Sequence, residues 1–484
     1  MDIITVLDHD EVHVKLDAER GIVLELSEYF TFFIKDAHLN PKVQARIWDG
    51  RIRLFNLKSR LIYKGLLNEL EKFAKSRSYK LVYETEPYRD EFSINECDQF
   101  VETLKLPFKI HDHQRESFIT AIRDKRNLTL SPTSSGKSLI IYMMFRYHKE
   151  KTLIIVPTTG LVEQMANDFK GYGFDSDKFC HLITAGKDKD SPKPIIISTW
   201  QSIYELPESW FNQFKVIIGD EVHGFKAKSL KEIMEKATGV EYRYGLTGTL
   251  DDCEIHELVL KGLFGPIRSF VTTKDLMDQN IVAQLNIEII ILKHNVSRKL
   301  VDYQDELSYV LASASRNNFI KNLALSLDGN VLILFHFSNR ENHGHELYRL
   351  INEASSKKHK VHFINGTVKG TDREAIRPLV ESSTDNIIVA SFATFQTGVS
   401  IKNIQHVILA SPRKTKIGTL QSIGRGLRIS ETKKSVTLFD IGDNLVRSRS
   451  NTILEHLIRR IEIYEKEHFN YKIYKVQLKD EPTE

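Results

Sequence analysis

Cysteine is almost missing from this chain: Cys97, Cys180 and Cys253 are odd in number, far apart and in no C-x-x-C pair. That excludes a disulfide framework or a cysteine zinc site and fits thiols that stay reduced. Long apolar runs are missing too. No uninterrupted stretch reaches the roughly 20 residues that span a bilayer, so no membrane partner is expected. The start, Met1-Asp2-Ile3-Ile4-Thr5, is acidic and lacks a signal-peptide pattern, which makes the cytoplasm the expected compartment. Net charge is scarce: +4 over 484 residues neither demands nor excludes a nucleic-acid partner, which has to be argued from local patches. The length exceeds one ordinary core and predicts about two to four domains.

What is present is organised around Ser131-Pro132-Thr133-Ser134-Ser135-Gly136-Lys137-Ser138. The apolar-leaning run Asn127–Leu130 precedes it and Leu139–Met144 follows, which reads as strand, small-residue loop and helix. In that geometry backbone N–H groups and a helix N-terminus cradle a polyphosphate. Lys137 places a positive charge against the β- and γ-phosphates of ATP, and the Ser138 hydroxyl takes one Mg²⁺ position. The usual pattern opens with Gly, where this chain has Ser131. Upstream, Gln114 at a helix start is the candidate for pairing with adenine, and Phe108 for stacking on it.

About eighty residues beyond the lysine, the strand signal Val216–Gly219 ends in Asp220-Glu221-Val222-His223. Asp220 at a strand's carboxyl end can hold Mg²⁺ through water, and Glu221 can orient and deprotonate an attacking water. Leu246-Thr247-Gly248-Thr249 supplies hydroxyls that could couple that site to the rest of the molecule.

Residues 1 to about 85 read differently, as a small α+β module. Glu11–Leu16 and Gly21–Leu26 read as strands and Tyr63–Ser76 as a helix. Asp49-Gly50 between Val43–Trp48 and Arg51–Phe55 is a hairpin signal. It brings Arg46, Trp48, Arg51 and Arg53 near one turn, a basic patch with an aromatic that suits a duplex backbone and a base step. The opposite reading is a buried Trp48 and a solvated arginine face. The acidic stretch Glu84–Asp98 reads as a linker.

After the loop, strand and helix signals alternate through Thr152–Val156, Gly160–Gly171 and Ile195–Ser198, which argues for a parallel sheet flanked by helices. A second alternating unit runs from Val331–Phe337 through Ser435–Asp440 without a second phosphate loop. Thr452–Glu467 reads as an amphipathic helix with Leu454, Leu457, Ile458, Ile461 and Tyr464 inward, and Arg447, Arg449, Arg459 and Arg460 making the region basic.

The phosphate loop, Asp220–His223, Thr247–Thr249 and Gln421-Ser422-Ile423-Gly424-Arg425-Gly426-Leu427-Arg428 resemble, in order and spacing, motifs I, II, III and VI of superfamily 2 helicases. The whole chain is similar to phage recombination helicases that remodel branched DNA. The resemblance implies two tandem RecA-like α/β domains, 86–290 and 291–484, behind an accessory domain of residues 1–85. It makes Gln421, Arg425 and Arg428 partners of the triphosphate, the arginines as charge-stabilising fingers, and counts His223 in the catalytic set. Pro157, Thr158, Thr199, Gln201, Gly366, Thr367 and Thr394 match contacts to the backbone of the tracked strand, and Gly398 a nucleotide contact. Around Thr394 the motif departs from many relatives, which carry an acid where Phe395 or Gln396 stands.

The expected activity is ATP-dependent translocation on DNA, by a monomer in the host cytoplasm if the source is a phage, with junctions, forks or RNA–DNA hybrids as substrates. An RNA helicase, a duplex translocase without strand separation and a non-catalytic annealing protein remain as alternatives.

Overall fold

The computed structural model describes the chain except residues 1, 35–36, 86–90, 185, 187, 226, 251–255, 297, 299, 337–342, 356–358, 365–379, 381–382, 393–402, 413–434, 446–450 and 480–484. Two compact units result, residues 1–131 with 136–270, and 132–135 with 271–484. No helix among the described residues is long and apolar enough to cross a membrane.

The N-terminal region contributes β1 (Ile3–Asp8), β2 (His13–Ala18), β3 (Thr31–Phe33), β4 (Arg51–Arg53), β5 (Leu61–Tyr63) and β6 (Lys80–Tyr83). A four-stranded sheet has the order β5-β2-β1-β6, with β6 parallel to β1 and the other pairs antiparallel. Two expectations fail here. Gly21–Leu26 lies in a helix, Arg20–Tyr29, because Ile22, Val23 and Leu26 form one buried stripe at helical spacing. The 43–48/51–55 hairpin does not form either. Asn40 caps a short helix, Pro41–Gln44, with Pro41 in its first turn, and β4 pairs antiparallel with β3 instead. The expected linker is helical from Ile94, where Ser93 and Glu96 form a reciprocal capping box.

The first parallel sheet is built from β7 (Arg126–Leu130), β8 (Thr152–Val156), β9 (Cys180–Ile183), β10 (Ile195–Thr199), β11 (Val216–Asp220), β12 (Tyr242–Thr247) and β13 (Ile267–Ser269). Its order is β13-β7-β12-β11-β8-β10-β9, parallel throughout. β8, β10 and β11 are buried along their whole length, which is why they read as unbroken apolar runs.

The N-terminal module and this sheet share one hydrophobic core, in which Phe30, Tyr63 and Leu66 join Leu128, Leu260 and Phe264. The Tyr63 hydroxyl donates to Glu235 at 2.5 Å, and Glu11 accepts from Lys64 at 3.1 Å and from Arg126 at 2.9 Å. The backbones meet through glycine. A Cβ on Gly65 would lie 2.2 Å from the Lys261 carbonyl oxygen, and one on Gly262 would lie 2.9 Å from the Tyr63 ring.

The second unit holds β14 (Gln284–Lys293), β15 (Val331–Phe335), β16 (Lys360–Ile364), β17 (Asn386–Ser391), β18 (His406–Leu409), β19 (Ser435–Asn444) and β20 (Tyr471–Gln477). Its order is β16-β17-β15-β18-β19-β14-β20, again parallel. Two RecA-like parallel-sheet domains preceded by a small α+β region are the architecture of this chain. The helix Thr452–Lys466 buries Leu457 and Tyr464 as expected, but Ile458 is exposed. Arg460 is not part of a basic surface: it is buried, donating to Asp440 at 2.8 and 2.9 Å, with the Tyr464 hydroxyl on the same carboxylate. The expected helices 371–382, apart from the buried Val380, and 418–428, together with Arg447, Arg449 and Cys253, lie outside the described residues.

His343 gives the second unit an acid-sensitive point. Burial, aided by the Arg316 charge, pushes its imidazole down to about 3, so it stays neutral in the fold while the unfolded chain takes up a proton below its ordinary value. Its contribution is complete above about pH 6.5 and is lost as pH falls from there toward 3. Amide exchange across Ser435–Asn444 is therefore expected to speed up between pH 6 and 5, after correction for intrinsic rates, and His343→Gln to flatten that change.

Candidate functional site

β7 delivers the chain into the loop and the helix Lys137–His148 leaves it. Two positive φ angles shape the turn, 70° at Ser134 and 88° at Gly136. Gly136 is the N-cap of the helix, and a Cβ there would sit 2.1 Å from Gln114 Nε2. Only glycine fits this cradle. Ser135 Oγ donates to the Pro132 carbonyl at 2.7 Å, which closes the loop on itself. Lys137 is buried; its ammonium donates to the Ser131 carbonyl at 3.1 Å and lies 3.1 Å from Glu221 Oε1. The first residue of the helix after the loop therefore already meets an acid from the end of β11.

Asp220 ends β11 and Glu221 follows with φ of 50°, a left-handed conformation rare outside glycine. Burial first, and the Glu221 charge second, push the Asp220 carboxyl up to about 7 against the pull of Lys137. Burial opposes ionisation of Glu221 as well, but Lys137 and His223 outweigh it and hold that carboxyl below the usual glutamate range. Adjacent acids are thus driven apart in affinity for a proton. Glu221 Oε2 accepts from Gly248 N at 3.4 Å and lies 3.3 Å from His223 Nδ1. His223 Nδ1 also meets Thr247 Oγ1 at 2.7 Å, and Thr247 donates its own proton to Thr249 O, so the histidine is the donor to Thr247. Lys137, Glu221, His223 and Thr247 form one connected group.

Hard oxygen donors here suit Mg²⁺. Asp220 is a buried carboxyl whose ionisation a dication would relieve, and Ser138 offers a hydroxyl. Among the described residues no group of three or more His, Cys, Asp or Glu could hold a metal, so phosphate and water would complete the shell.

Gln114 is buried, and its carboxamide oxygen accepts from His111 N at 2.9 Å as part of a helix cap. Phe108 is exposed and meets Tyr172 edge-on, centroids 5.8 Å apart. Tyr172 is a residue that sequence reasoning missed: its hydroxyl lies 2.8 Å from Ser138 Oγ, yet nothing in Gly171-Tyr172-Gly173 marks it as part of a motif.

Of the expected strand contacts, Pro157 and Gln201 come together, the Gln201 amide donating to the Pro157 carbonyl at 3.1 Å. Thr158 caps the helix Thr159–Gly171, and its hydroxyl has no hydrogen-bond partner among the described residues. Thr199 is buried and shares a 2.9 Å hydrogen bond with Ser202. In the N-terminal module Arg46, Arg51 and Arg53 are exposed, Arg53 paired with Asp49. Trp48 is half-buried, and its indole N–H donates to the Arg51 carbonyl at 3.0 Å, so it is not the free ring the hairpin reading required. Gly366, Thr367, Thr394, Gly398, Gln421, Arg425 and Arg428 lie outside the described residues.

Three family models match the chain: "DNA helicase UvsW, N-terminal" over residues 2–84, "Type III restriction enzyme, res subunit" over 59–252 and "Helicase conserved C-terminal domain" over 315–430. The chain is 34% identical to the ATP-dependent DNA helicase UvsW of Enterobacteria phage T4, covering 97% of this chain and 99% of that one. A DNA 3'-5' translocase, XPB2 of Sulfurisphaera tokodaii, is 33% identical over 34% of this chain and 36% of its own. The crystal structure of T4 UvsW superposes with a TM-score of 0.53 at 32% identity, covering 99% of this chain and 100% of that one. The type ISP restriction-modification enzyme LlaBIII, solved bound to DNA, shares the fold at 14% identity and a TM-score of 0.57, over 86% of this chain and 34% of its own. Similarity to the phage protein runs from the N-terminal module through both parallel-sheet cores, and the chain therefore belongs to the UvsW family of superfamily 2 helicases.

Proposed function

We propose that the chain is an ATP-dependent DNA helicase that tracks along the DNA backbone and remodels branched substrates, such as Holliday junctions, stalled forks and R-loops, in recombination, repair and replication. It acts as a monomer in the host cytoplasm. Residues 1–85 hold the duplex at a branch, 86–290 bind ATP and 291–484 complete the motor.

Ser131–Ser138 hold the phosphates and Gln114 reads the adenine. Ser138 and Asp220 hold Mg²⁺, which supplies charge neutralisation on the phosphates. Glu221 takes the proton of the attacking water, Lys137 neutralises the phosphate tail, and Gln421, Arg425, Arg428 and Gly398 serve the same triphosphate. Pro157, Thr158, Thr199, Gln201, Gly366, Thr367 and Thr394 take the strand's phosphates, a contact that ignores sequence. The position of Thr158 at the N-terminus of the helix Thr159–Gly171 supports that role.

One observation carries the reading. The carboxylate placed to deprotonate water touches the loop lysine with one oxygen and reaches Gly248 and, through His223, Thr247 with the other. Loss of the γ-phosphate is thereby transmitted to a segment outside the nucleotide site. Forked DNA is expected to stimulate ATP turnover more than linear duplex or structured RNA, and Lys137→Ala to lower the stimulated rate about 100-fold or more. Stimulation by RNA above that by forks would make the protein an RNA helicase. Absence of any nucleic-acid stimulation would leave only a binding protein.

A further inference from the structure

The two-stranded ribbon β3–β4 has one face in the core and one in solvent. Register pairs Phe32 with Ile52 and Phe33 with Arg51. Phe32 and Ile52 pack on the hydrophobic core, and Phe32 stacks on His256 with centroids 3.8 Å apart. Alternation therefore sends Thr31, Phe33, Arg51 and Arg53 outward together. Phe33 is 64% exposed; the Arg51 guanidinium lies over one face of its ring, 4.4 Å from the centroid, and the opposite face is the one available for stacking. Ile34, the next residue, and Ile47, beside Trp48, are exposed as well. A cross-strand Phe–Arg pair adds some stability to a ribbon, but that role does not require the ring to stand open.

We infer that the outer face of this ribbon is a stacking platform for an unpaired base at a DNA branch point, with Phe33 as its ring and Arg51 and, exchanged from its Asp49 pair, Arg53 on the flanking phosphates. Cations that attract a backbone, set beside an open π-face, are the composition that single-stranded nucleic acid recognises without sequence preference. Phe33 takes the part that the sequence pattern assigned to Trp48, whose indole is tied to the ribbon's own backbone. The inference rests on the branched-DNA reading above.

Forks carrying 2-aminopurine at the first unpaired position, and linear duplexes of the same length, provide the test. Wild type is expected to quench the probe and prefer forks. Phe33→Leu, which keeps apolar bulk without a π-face, and Phe33→Ala are both expected to lose the quenching and to lower the fork-over-linear preference about tenfold. Phe33→Trp should keep both. Arg51→Gln should weaken fork and linear binding alike and reduce the salt slope by about one. Matched melting midpoints establish that the variants are folded. Quenching and fork preference that survive in Phe33→Leu and Phe33→Ala overturn the platform alone; a wild type without fork preference overturns the branched-substrate reading instead.

Discussion

Glu221→Gln is expected to lower ATP turnover by about 10²- to 10⁴-fold, the range of a lost general base, while nucleotide binding persists. The amide has the shape of the carboxylate it replaces, so the left-handed turn at this position and the 3.4 Å contact from Gly248 N can remain. What disappears is the proposed acceptor for a water's proton and the negative charge 3.1 Å from Lys137. Freed of that partner, the lysine is more available to phosphate, and binding of a fluorescent ATP analogue is expected to hold or tighten. Because Lys137 and His223 keep the carboxyl ionised well into the acid range, this residue should add no acid limb to the wild-type rate profile near neutrality. Phosphate release under saturating ATP and forked DNA is the measurement. A variant turning over within tenfold of wild type would remove Glu221 from the chemistry.

Asp443→Asn is expected to cost the second unit about 3–5 kcal/mol, the usual result of breaking a buried ion pair from one side. Asp443 and Arg316 are both fully buried; the carboxylate accepts from Arg316 at 2.8 and 3.1 Å and from His294 at 2.9 Å. Burial works against its ionisation, yet Arg316 and His294 hold the carboxyl down at about 2. Its stabilising contribution is therefore full above about pH 4 and is lost as pH falls toward 2. With the amide in place, the Arg316 charge stays in the interior with, among the described residues, only the Ala410 carbonyl and a neutral side chain to receive its protons. Exchange of amides in Ser435–Asn444 reports this unit without requiring the whole chain to unfold at once. Protection within 1 kcal/mol of wild type would show that Arg316 finds another counter-charge. Replacing Arg316 and Asp443 together by Met and Leu should recover much of the loss, since the desolvation of both charges goes with them.

Both parallel sheets were legible because their central strands are buried on two faces and so are written as short apolar runs. The loop and the acid pair that make up the candidate nucleotide site could be picked out for a different reason: a tight turn and two acids at a strand end demand particular residues at particular places. Errors cluster where a long-range contact decides. Gly21–Leu26 looked like a strand because Ile22, Leu24 and Leu26 alternate, but Leu24 is exposed and Val23 buried, which only a helix satisfies. Asp49-Gly50 suggested a hairpin, and the helix-start pair Asn40-Pro41 overrode it. Arg460 read as surface charge because its partner, Asp440, sits on a different element. β20 was missed since it is a sheet-edge strand whose residues are mostly open to solvent, leaving no hydrophobic pattern to find.

Gly65 has a mechanical meaning. Its bare α-carbon lets the module's backbone rest directly on residues 261–265, and the apolar interior is continuous across that seam. The module is thus packed directly on the first parallel-sheet core, backbone against backbone and with one shared apolar interior. If the module holds DNA as proposed, that DNA would travel with the core through each cycle, like a load bolted to a piston and not one trailing on a rope.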